Sequence, residues 1–154
     1  MILNCLNKCS LPVYGKGQNV RDWLYVDDHA KALWMLLEHS KRGETYNIGG
    51  EEEWKNIDLV YEIIRVIARL QGEDQKGLEG LITYVKDRPG HDFRYAIDCS
   101  KIKNEIGWAP DHNFTQGLEE TVKWYLQHQS PEDAMQRLME NVSFQPTLVA
   151  VDKK

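Results

Sequence analysis

The sequence has no apolar run near the ~20 residues that a membrane-spanning helix requires. Its first residues also have no basic region followed by an apolar stretch, so they do not predict a signal peptide. There is no excess of basic residues: 19 lysines and arginines face 24 acidic residues, for a net charge of −5. A nucleic-acid-binding protein usually has a basic face. We therefore expect neither a membrane protein nor a nucleic-acid binder.

Cysteine is scarce as well, with Cys5, Cys9 and Cys99 as its only three occurrences. The number is odd, and the spacing matches neither a disulfide framework nor a zinc site, so we expect no metal. This pattern favours a reducing, cytoplasmic location. Cys5 and Cys9 lie four residues apart, which on a helix means one face, and packing in the core is their predicted role.

What is present is typical of a folded domain, with 42% hydrophobic and 28% charged residues. Strand and helix patterns alternate, which predicts an α/β architecture that is mostly helical with short strands. The strands are few and widely separated, as pieces of a sheet completed elsewhere would be. Predicted strands cover residues 11–14, 20–26, 45–48, 82–85 and 95–97. Predicted helices cover residues 28–39, 56–70, 100–106 and about 118–125.

The ends of these helices carry recognisable signals. Asp27, Asn56 and Ser100 are predicted N-caps, and Gly43 and Gly107 are predicted to end helices. A further helix start is predicted at residues 130–133, where a serine is followed by a proline and two acids. The tail from residue 143 shows no period.

Arginine placement gives the main chemical signal. The guanidinium of Arg21 or Arg88 suits the bidentate geometry of a phosphate. Asn56 begins the strongest predicted helix, where backbone N–H groups and the helix dipole favour an anion. Tyr14 offers a flat face on which a base could stack. Two arginines and a helix start together would suit a diphosphate.

Each residue also has a simpler interpretation. Arg21 could pair with the neighbouring Asp22, and Arg88 with Asp87, as surface ion pairs of little energetic value. Asn56 could be only a helix cap, and Tyr14 only a packing residue. The turn formed by residues 15–17 is not a phosphate-binding loop, because it lacks the glycine-rich consensus and its strand–helix setting. From the residues alone, the sequence indicates an anion-binding module.

Seven stretches nevertheless follow one family's pattern in order. They include Arg-Asp-Trp-Leu-Tyr-Val at residues 21–26 and Asp-Arg-Pro-Gly-His-Asp at residues 87–92. The sequence resembles the dTDP-glucose 4,6-dehydratases, in the nucleotide-sugar branch of the extended short-chain dehydrogenase/reductase family. The full set comprises residues 11–17, 19–29, 44–50, 55–58, 87–92, 94–98 and 106–110.

The resemblance implies roles for the matching loops. Pro12 and Tyr14 would contact the nucleotide, and Arg21 and Arg88 would hold the diphosphate beside Asn56. His91 would lie at the same nucleotide end. The implied substrate-binding set is Pro12, Tyr14, Arg21, Asn56, Asp87, Arg88, Pro89, Gly90 and His91.

The resemblance also implies what this sequence lacks. Family members carry an N-terminal Rossmann domain that binds NAD and supplies a tyrosine–lysine pair and an acid/base pair. They oxidise C4 of the glucose, eliminate water across C5 and C6, and return the hydride to C6, a step of deoxysugar biosynthesis. No NAD site and no catalytic residue is expected in this sequence, so we predict an inactive fragment of such a lyase.

The implied organisation is a C-terminal portion over residues 1–126. Within it, residues 28–49 would resemble the last elements of a Rossmann-type parallel sheet, and the rest would bind the dTDP-sugar. Residues 127–154 would form a helical extension and an irregular tail. Two alternatives remain: a fragment of a related nucleotide-sugar epimerase or decarboxylase, or a non-catalytic module that forms a homodimer or pairs with a separate Rossmann chain.

Overall fold

A computed structural model describes residues 1–128, in which helices and short strands alternate along the chain. The predicted mixed α/β class with short strands is confirmed. The elements, in order, are α1 (Ile2–Leu6), β1 (Leu11–Tyr14), β2 (Val20–Asp22), α2 (Val26–His39), β3 (Glu53–Lys55), α3 (Asn56–Gln71), α4 (Gln75–Glu79), β4 (Ile82–Val85), β5 (Arg94–Tyr95), α5 (Ser100–Ile106) and α6 (Phe114–Gln127). The predicted helix start at residues 130–133 and the tail lie outside the described residues.

The amphipathic helix α3 organises the larger apolar core. Its apolar residues recur every three or four positions, so they form one stripe, which packs against α1, α4, α6 and β1. Ile64 and Ile67 at the centre of this stripe are fully buried. The left-handed Gly72 ends the helix, with φ of 68°.

A second, smaller core joins α2 to α5. Its buried members are Ala32, Cys99, Ile102 and Trp108. The other side of α2 carries large apolar side chains that nothing in residues 1–128 covers: Leu33, Trp34 and Leu37 are 49%, 63% and 82% exposed. An apolar stripe of this kind is typical of a helix that packs on a further layer.

Two small sheets bring distant stretches of the chain together. In the first, β1 pairs with β4 in parallel, with Leu11 opposite Ile82 and Tyr14 opposite Val85. In the second, β2 is central: it pairs antiparallel with β3 and parallel with β5. These pairings place the loop that joins β4 to β5 next to the loop that joins β1 to β2.

Some local predictions were wrong. Residues 45–48 form no strand, because a strand requires a partner and no other described segment pairs with them. Tyr46 instead donates to Glu105 of α5, and Asn47 donates to the carbonyl of Asp98 just before that helix. The strand predicted for residues 20–26 ends at Asp22, since the backbone enters α2 at Val26.

The helix starts also differ from expectation. Asp27 lies inside the first turn of α2, and neither Asn56 nor Ser100 makes a capping side-chain hydrogen bond. Gly107 does end α5 in the left-handed conformation, whereas α2 already ends at His39, before Gly43. Cys5 is buried as predicted, but Cys9 is exposed, because α1 ends at Leu6. No helix within residues 1–128 is long and apolar enough to cross a bilayer.

Candidate functional site

The loop at residues 86–93, between β4 and β5, connects most of the predicted binding residues. At its start, the N–H of Gly15 donates to the carbonyl of Val85 at 2.8 Å. At its end, the N–H of Val20 donates to the carbonyl of Phe93, also at 2.8 Å. The loop therefore runs beside residues 15–20 and is anchored to them at both ends.

Pro12 and Tyr14 share the solvent-facing side of β1. Burial alternates along this strand, so Leu11 and Val13 point into the core and the two predicted nucleotide contacts point outward. Tyr14 is 51% exposed, and its ring meets the ring of His91 edge-on at 6.2 Å between centroids. One edge of the tyrosine ring is thus supported, while the ring remains accessible to a ligand.

His91 is held by Asp87. The Nδ1 atom of His91 lies 2.7 Å from the Asp87 carboxylate, and because a carboxylate only accepts, Nδ1 carries the proton. This hydrogen bond is the largest cause of the lowered pKa of Asp87, and the backbone N–H of Arg88 contributes to it. The His91 side chain is only 6% exposed. The imidazole is therefore fixed in orientation within the loop.

Arg21 contacts the other end of the loop. Its guanidinium donates to the carbonyl of Asp92 at 2.9 Å and to the carbonyl of Val20 at 2.6 Å. The side chain of the buried Asn19 donates to the same Asp92 carbonyl at 3.1 Å. Arg21 makes no ion pair with Asp22, so the simpler interpretation of this residue is wrong.

Asn56 is placed differently from its expected role. It is the first residue of α3, and its own N–H donates to the carbonyl of Asn19 at 2.9 Å. The next N–H, of Ile57, donates to the carbonyl of Gly17 at 2.9 Å. These two N–H groups are occupied by the protein and do not form the free anion site that the sequence predicted. The side-chain amide of Asn56 makes no hydrogen bond within residues 1–128, and it is the group that remains available to a ligand.

Arg88, Pro89 and Gly90 form the exposed tip of the loop. The Arg88 guanidinium makes no ion pair or hydrogen bond to any group of residues 1–128, so the alternative of a surface pair with Asp87 does not form. Gly90 has φ of 69°, the left-handed conformation that lets the loop reverse direction here. The tip presents one cation to solvent next to the buried His91.

Direct contacts thus link Tyr14 to His91 and His91 to Asp87. The guanidinium of Arg21 bonds to the carbonyl of Asp92, and the backbone N–H of Asn56 bonds to Asn19, whose side chain reaches the same carbonyl. Sequence reasoning missed Asn19, which bonds both to the loop and to the start of α3. It also missed Asp22, which accepts from two backbone N–H groups. No motif singles out either residue; only their partners, distant in sequence, show their role.

The described residues do not fit the NAD cofactor that the resemblance implies. A dinucleotide site needs a glycine-rich turn between a strand and the helix that follows it. The turn at residues 15–17 leads from β1 into β2 and not into a helix. The chain enters α2 and α3 from β2 and β3 without a glycine-rich turn. Within residues 1–128, no glycine-rich turn of this kind leads from a strand into a helix.

A groove of about 530 Å³ lies away from this cluster. It is lined mainly by residues of α1, α3 and α6, together with Trp23, Tyr25 and His112. None of the nine predicted binding residues lines it. Its size falls within the range of ligand sites, but the chemistry indicated by the sequence is concentrated elsewhere.

Comparison with known proteins identifies the family of the chain. The family described as GDP-mannose 4,6 dehydratase matches residues 1–121. A probable dTDP-glucose 4,6-dehydratase of Sinorhizobium fredii is 52% identical over 128 residues, which are 83% of this chain and 36% of the relative. The chain therefore spans little more than a third of the length of this relative.

Solved structures agree. The dTDP-glucose 4,6-dehydratase of Bacillus anthracis, in complex with NAD, is 45% identical with a TM-score of 0.72; the match covers 83% of this chain and 38% of that one. The enzyme of Streptomyces venezuelae, with NAD and TYD bound, is 37% identical with a TM-score of 0.74, over 83% and 37% of the two chains. The family match, the relative and both structures agree: this chain belongs to the GDP-mannose 4,6 dehydratase family and is similar to its dTDP-glucose 4,6-dehydratases.

Proposed function

We propose that this chain is the nucleotide-diphosphate-binding part of a dTDP-glucose 4,6-dehydratase. Pro12 and Tyr14 contact the nucleotide, and Arg21 and Arg88 hold the diphosphate with the side-chain amide of Asn56. His91, oriented by Asp87, completes the nucleotide end, and Pro89 and Gly90 shape the loop tip.

One observation carries this proposal: the loop at residues 86–93 contacts both β1 and β2. It meets Tyr14 through His91 and meets Arg21 through the carbonyl of Asp92. Aromatic and cationic groups from separate stretches thus adjoin one loop. A nucleoside diphosphate offers a base for stacking and an anion for bidentate arginine contacts, so it matches this combination.

The complete enzyme would oxidise C4 of dTDP-glucose with NAD⁺, eliminate water across C5 and C6, and return the hydride to C6. The product would be dTDP-4-keto-6-deoxyglucose. Residues 1–128 fit no NAD site, so the chain alone would bind the nucleotide end without turnover. The three free cysteines support a cytoplasmic location for this chemistry.

Titration of the ¹⁵N-labelled chain with dTDP, followed by NMR, tests the binding proposal. We expect saturable shift changes that cluster in residues 12–21, 56 and 87–91. The substitutions Arg21→Ala and Arg88→Ala should each weaken binding by about 10-fold, because each removes a hydrogen-bonding cation. Arg42→Ala is the matched control, since Arg42 is an exposed arginine in the turn after α2. A folded sample without shift changes would refute the proposal.

Two further measurements address the sugar nucleotide and the reaction. Competition between dTDP, UDP and GDP separates a dTDP enzyme from a related epimerase or decarboxylase, and we expect dTDP to bind most tightly. An assay with dTDP-glucose and NAD⁺ should yield no 4-keto product from the chain alone. Turnover in this assay would contradict the proposed division of roles.

The exposed apolar face of α2 favours a second candidate, a module that associates with another chain. Trp34 and Leu37 are uncovered, and residues 45–48 lack strand pairing within the described chain. A Rossmann-domain chain would supply both a covering layer and a strand, whereas a second copy would form a homodimer. Sedimentation velocity of the chain, and of its Trp34→Gln variant, separates a monomer from a self-associating module.

A further inference from the structure

The carboxylate of Asp22 binds the backbone of the tight turn at residues 49–52. One carboxylate oxygen accepts from the N–H of Gly50 at 3.1 Å, and the other accepts from the N–H of Glu52 at 3.0 Å. The backbone N–H of Trp23 then donates to the carbonyl of Glu52 at 3.0 Å. Residues 49–52 are thus tied to the end of β2 by three hydrogen bonds.

The fit between Asp22 and this turn is close. A Cβ atom added to Gly49 would lie 2.4 Å from the Asp22 carboxylate, and one added to Gly50 would lie 1.9 Å from the carbonyl of Trp23. Glu51, between the two hydrogen-bonded residues, has φ of 55°, which is unusual for a residue with a side chain. The carboxylate therefore compensates for a backbone conformation that is unfavourable by itself.

The turn leads directly into β3 and then into α3. The pairing of β2 with β3 sets Val20 opposite Lys55 and Arg21 opposite Trp54. Asn56 follows at once, and its N–H bonds to Asn19 just before β2. The distance between Arg21 and Asn56 therefore depends on the register of the pairing between β2 and β3, which is only three residues long. The hydrogen bonds of Asp22 stabilise the end of this pairing next to the turn.

We propose that Asp22 is a positioning residue for diphosphate binding: it fixes the register of β3 on β2 and thereby holds Arg21 and Asn56 in one arrangement. This inference rests on the proposed function, because it assigns Asp22 an effect on the same ligand. Asp22 does not contact the ligand itself. Both of its oxygens already accept from N–H groups of the turn. The negative charge of Asp22 is therefore turned away from the diphosphate.

An asparagine at position 22 would have nearly the same size and shape as the aspartate but could not accept both hydrogen bonds. An amide has one oxygen and one NH₂ group, so one of the two N–H donors would face another donor. The buried N–H left without an acceptor would loosen the turn and with it the register. The substitution Asp22→Asn should therefore disturb the ligand site without emptying any core position.

A double-mutant cycle of Asp22→Asn with Arg21→Lys tests the proposal, with dTDP affinity measured by NMR titration. Asp22→Asn alone should weaken binding on the order of 10-fold. Because Asp22 acts in part through the position of Arg21, the double variant should lose clearly less affinity than the product of the two single losses. Purely additive losses would overturn the proposal, since a general loss of stability has no reason to saturate. Glu38→Gln, an exposed carboxylate at the end of α2, is the charge-matched control.

Two checks complete the experiment. The amides of Gly50 and Glu52 should exchange with solvent faster in Asp22→Asn, and unchanged exchange would contradict the proposed clamp. If Asp22→Asn does not fold, Asp22→Ser, which keeps one acceptor, replaces it in the same cycle. If the wild-type chain does not bind dTDP, the proposed function is refuted. If the wild-type chain binds but the losses in the cycle are additive, only the role of Asp22 is refuted.

Discussion

His91 and Asp87, four residues apart in an exposed loop, form a hydrogen bond of 2.7 Å that buries the imidazole while the carboxylate stays 40% exposed. The pair ties the two ends of a tight loop together and supports one edge of Tyr14. The imidazole of His91 is therefore already oriented without a ligand, which lowers the entropic cost of binding.

The same pair gives a titration prediction. The folded pKa of Asp87 is lowered, chiefly by the bond to His91, so its contribution to stability is present above the ordinary value of 3.8. It is lost as the pH falls through the lowered folded pKa. In His91→Ala the pKa of Asp87 should rise toward 3.8, as followed by carboxyl NMR. An unchanged pKa of Asp87 would show that His91 is not its main partner.

Gly50 offers a steric test of the turn at residues 49–52. A Cβ atom at this position would lie 1.9 Å from the Trp23 carbonyl, a backbone atom that cannot rotate away. We expect Gly50→Ala to lower the free energy of unfolding by about 3 kcal/mol, measured by urea denaturation. Gly72→Ala is the control: it has open space but φ of 68°, so the cost should be nearer 1 kcal/mol. Equal losses would mean that the turn can move aside.

The cysteines should differ in reactivity. Burial is the largest cause that raises the pKa of Cys5 and of Cys99, whereas Cys9 is exposed. Iodoacetamide at pH 8 should label Cys9 first, as read by mass spectrometry, and the other two only on unfolding. Since their folded pKa values are raised, the stability they contribute is present below pH 9.0 and declines as the pH rises above it. Rapid labelling of Cys99 in the folded chain would contradict its burial.

Truncation of a buried apolar side chain should cost far more stability than truncation of an exposed one. Ile64 is fully buried in the larger core, so Ile64→Ala should cost about 2–5 kcal/mol of unfolding free energy. Leu37 is 82% exposed on α2, and Leu37→Ala should change stability by less than about 0.5 kcal/mol. Thermal and urea unfolding of both variants provide the comparison. A large loss from Leu37→Ala would indicate that this face is covered in solution.

The sequence predicted elements best where one local pattern governs the structure. The stripe of α3 and the end of α5 at Gly107 follow from periodicity and from glycine chemistry, and both are confirmed. Residues 45–48 have strand composition but no partner among the described residues, and composition cannot report a missing neighbour. Asn56 is not the cap because it is already the first residue of α3 and Lys55 takes the N-cap position. Its backbone N–H and that of Ile57 donate to the carbonyls of Asn19 and Gly17, which are far away in sequence.

The candidate site shows the same division. Tyr14, Arg21 and Arg88 could be selected by the chemistry of their side chains, and the family resemblance supplied Pro12 and His91. The partners that orient them could not be selected, because Asp22, Asn19 and the Asp92 carbonyl act through tertiary hydrogen bonds. Residue type indicates what can bind a ligand, whereas the fold determines what holds it in place.

The parallel pairing of β1 with β4 has a consequence for how the chain reaches its native state. Residues 11–14 meet residues 82–85, with β2, α2, β3, α3 and α4 between them in sequence. Closing so long a segment costs entropy before its contacts form, and such non-local pairings slow folding. The loop at residues 86–93 can take its final shape only after this late step. During refolding, the native signal of Tyr14 should therefore appear later than the helical circular dichroism signal.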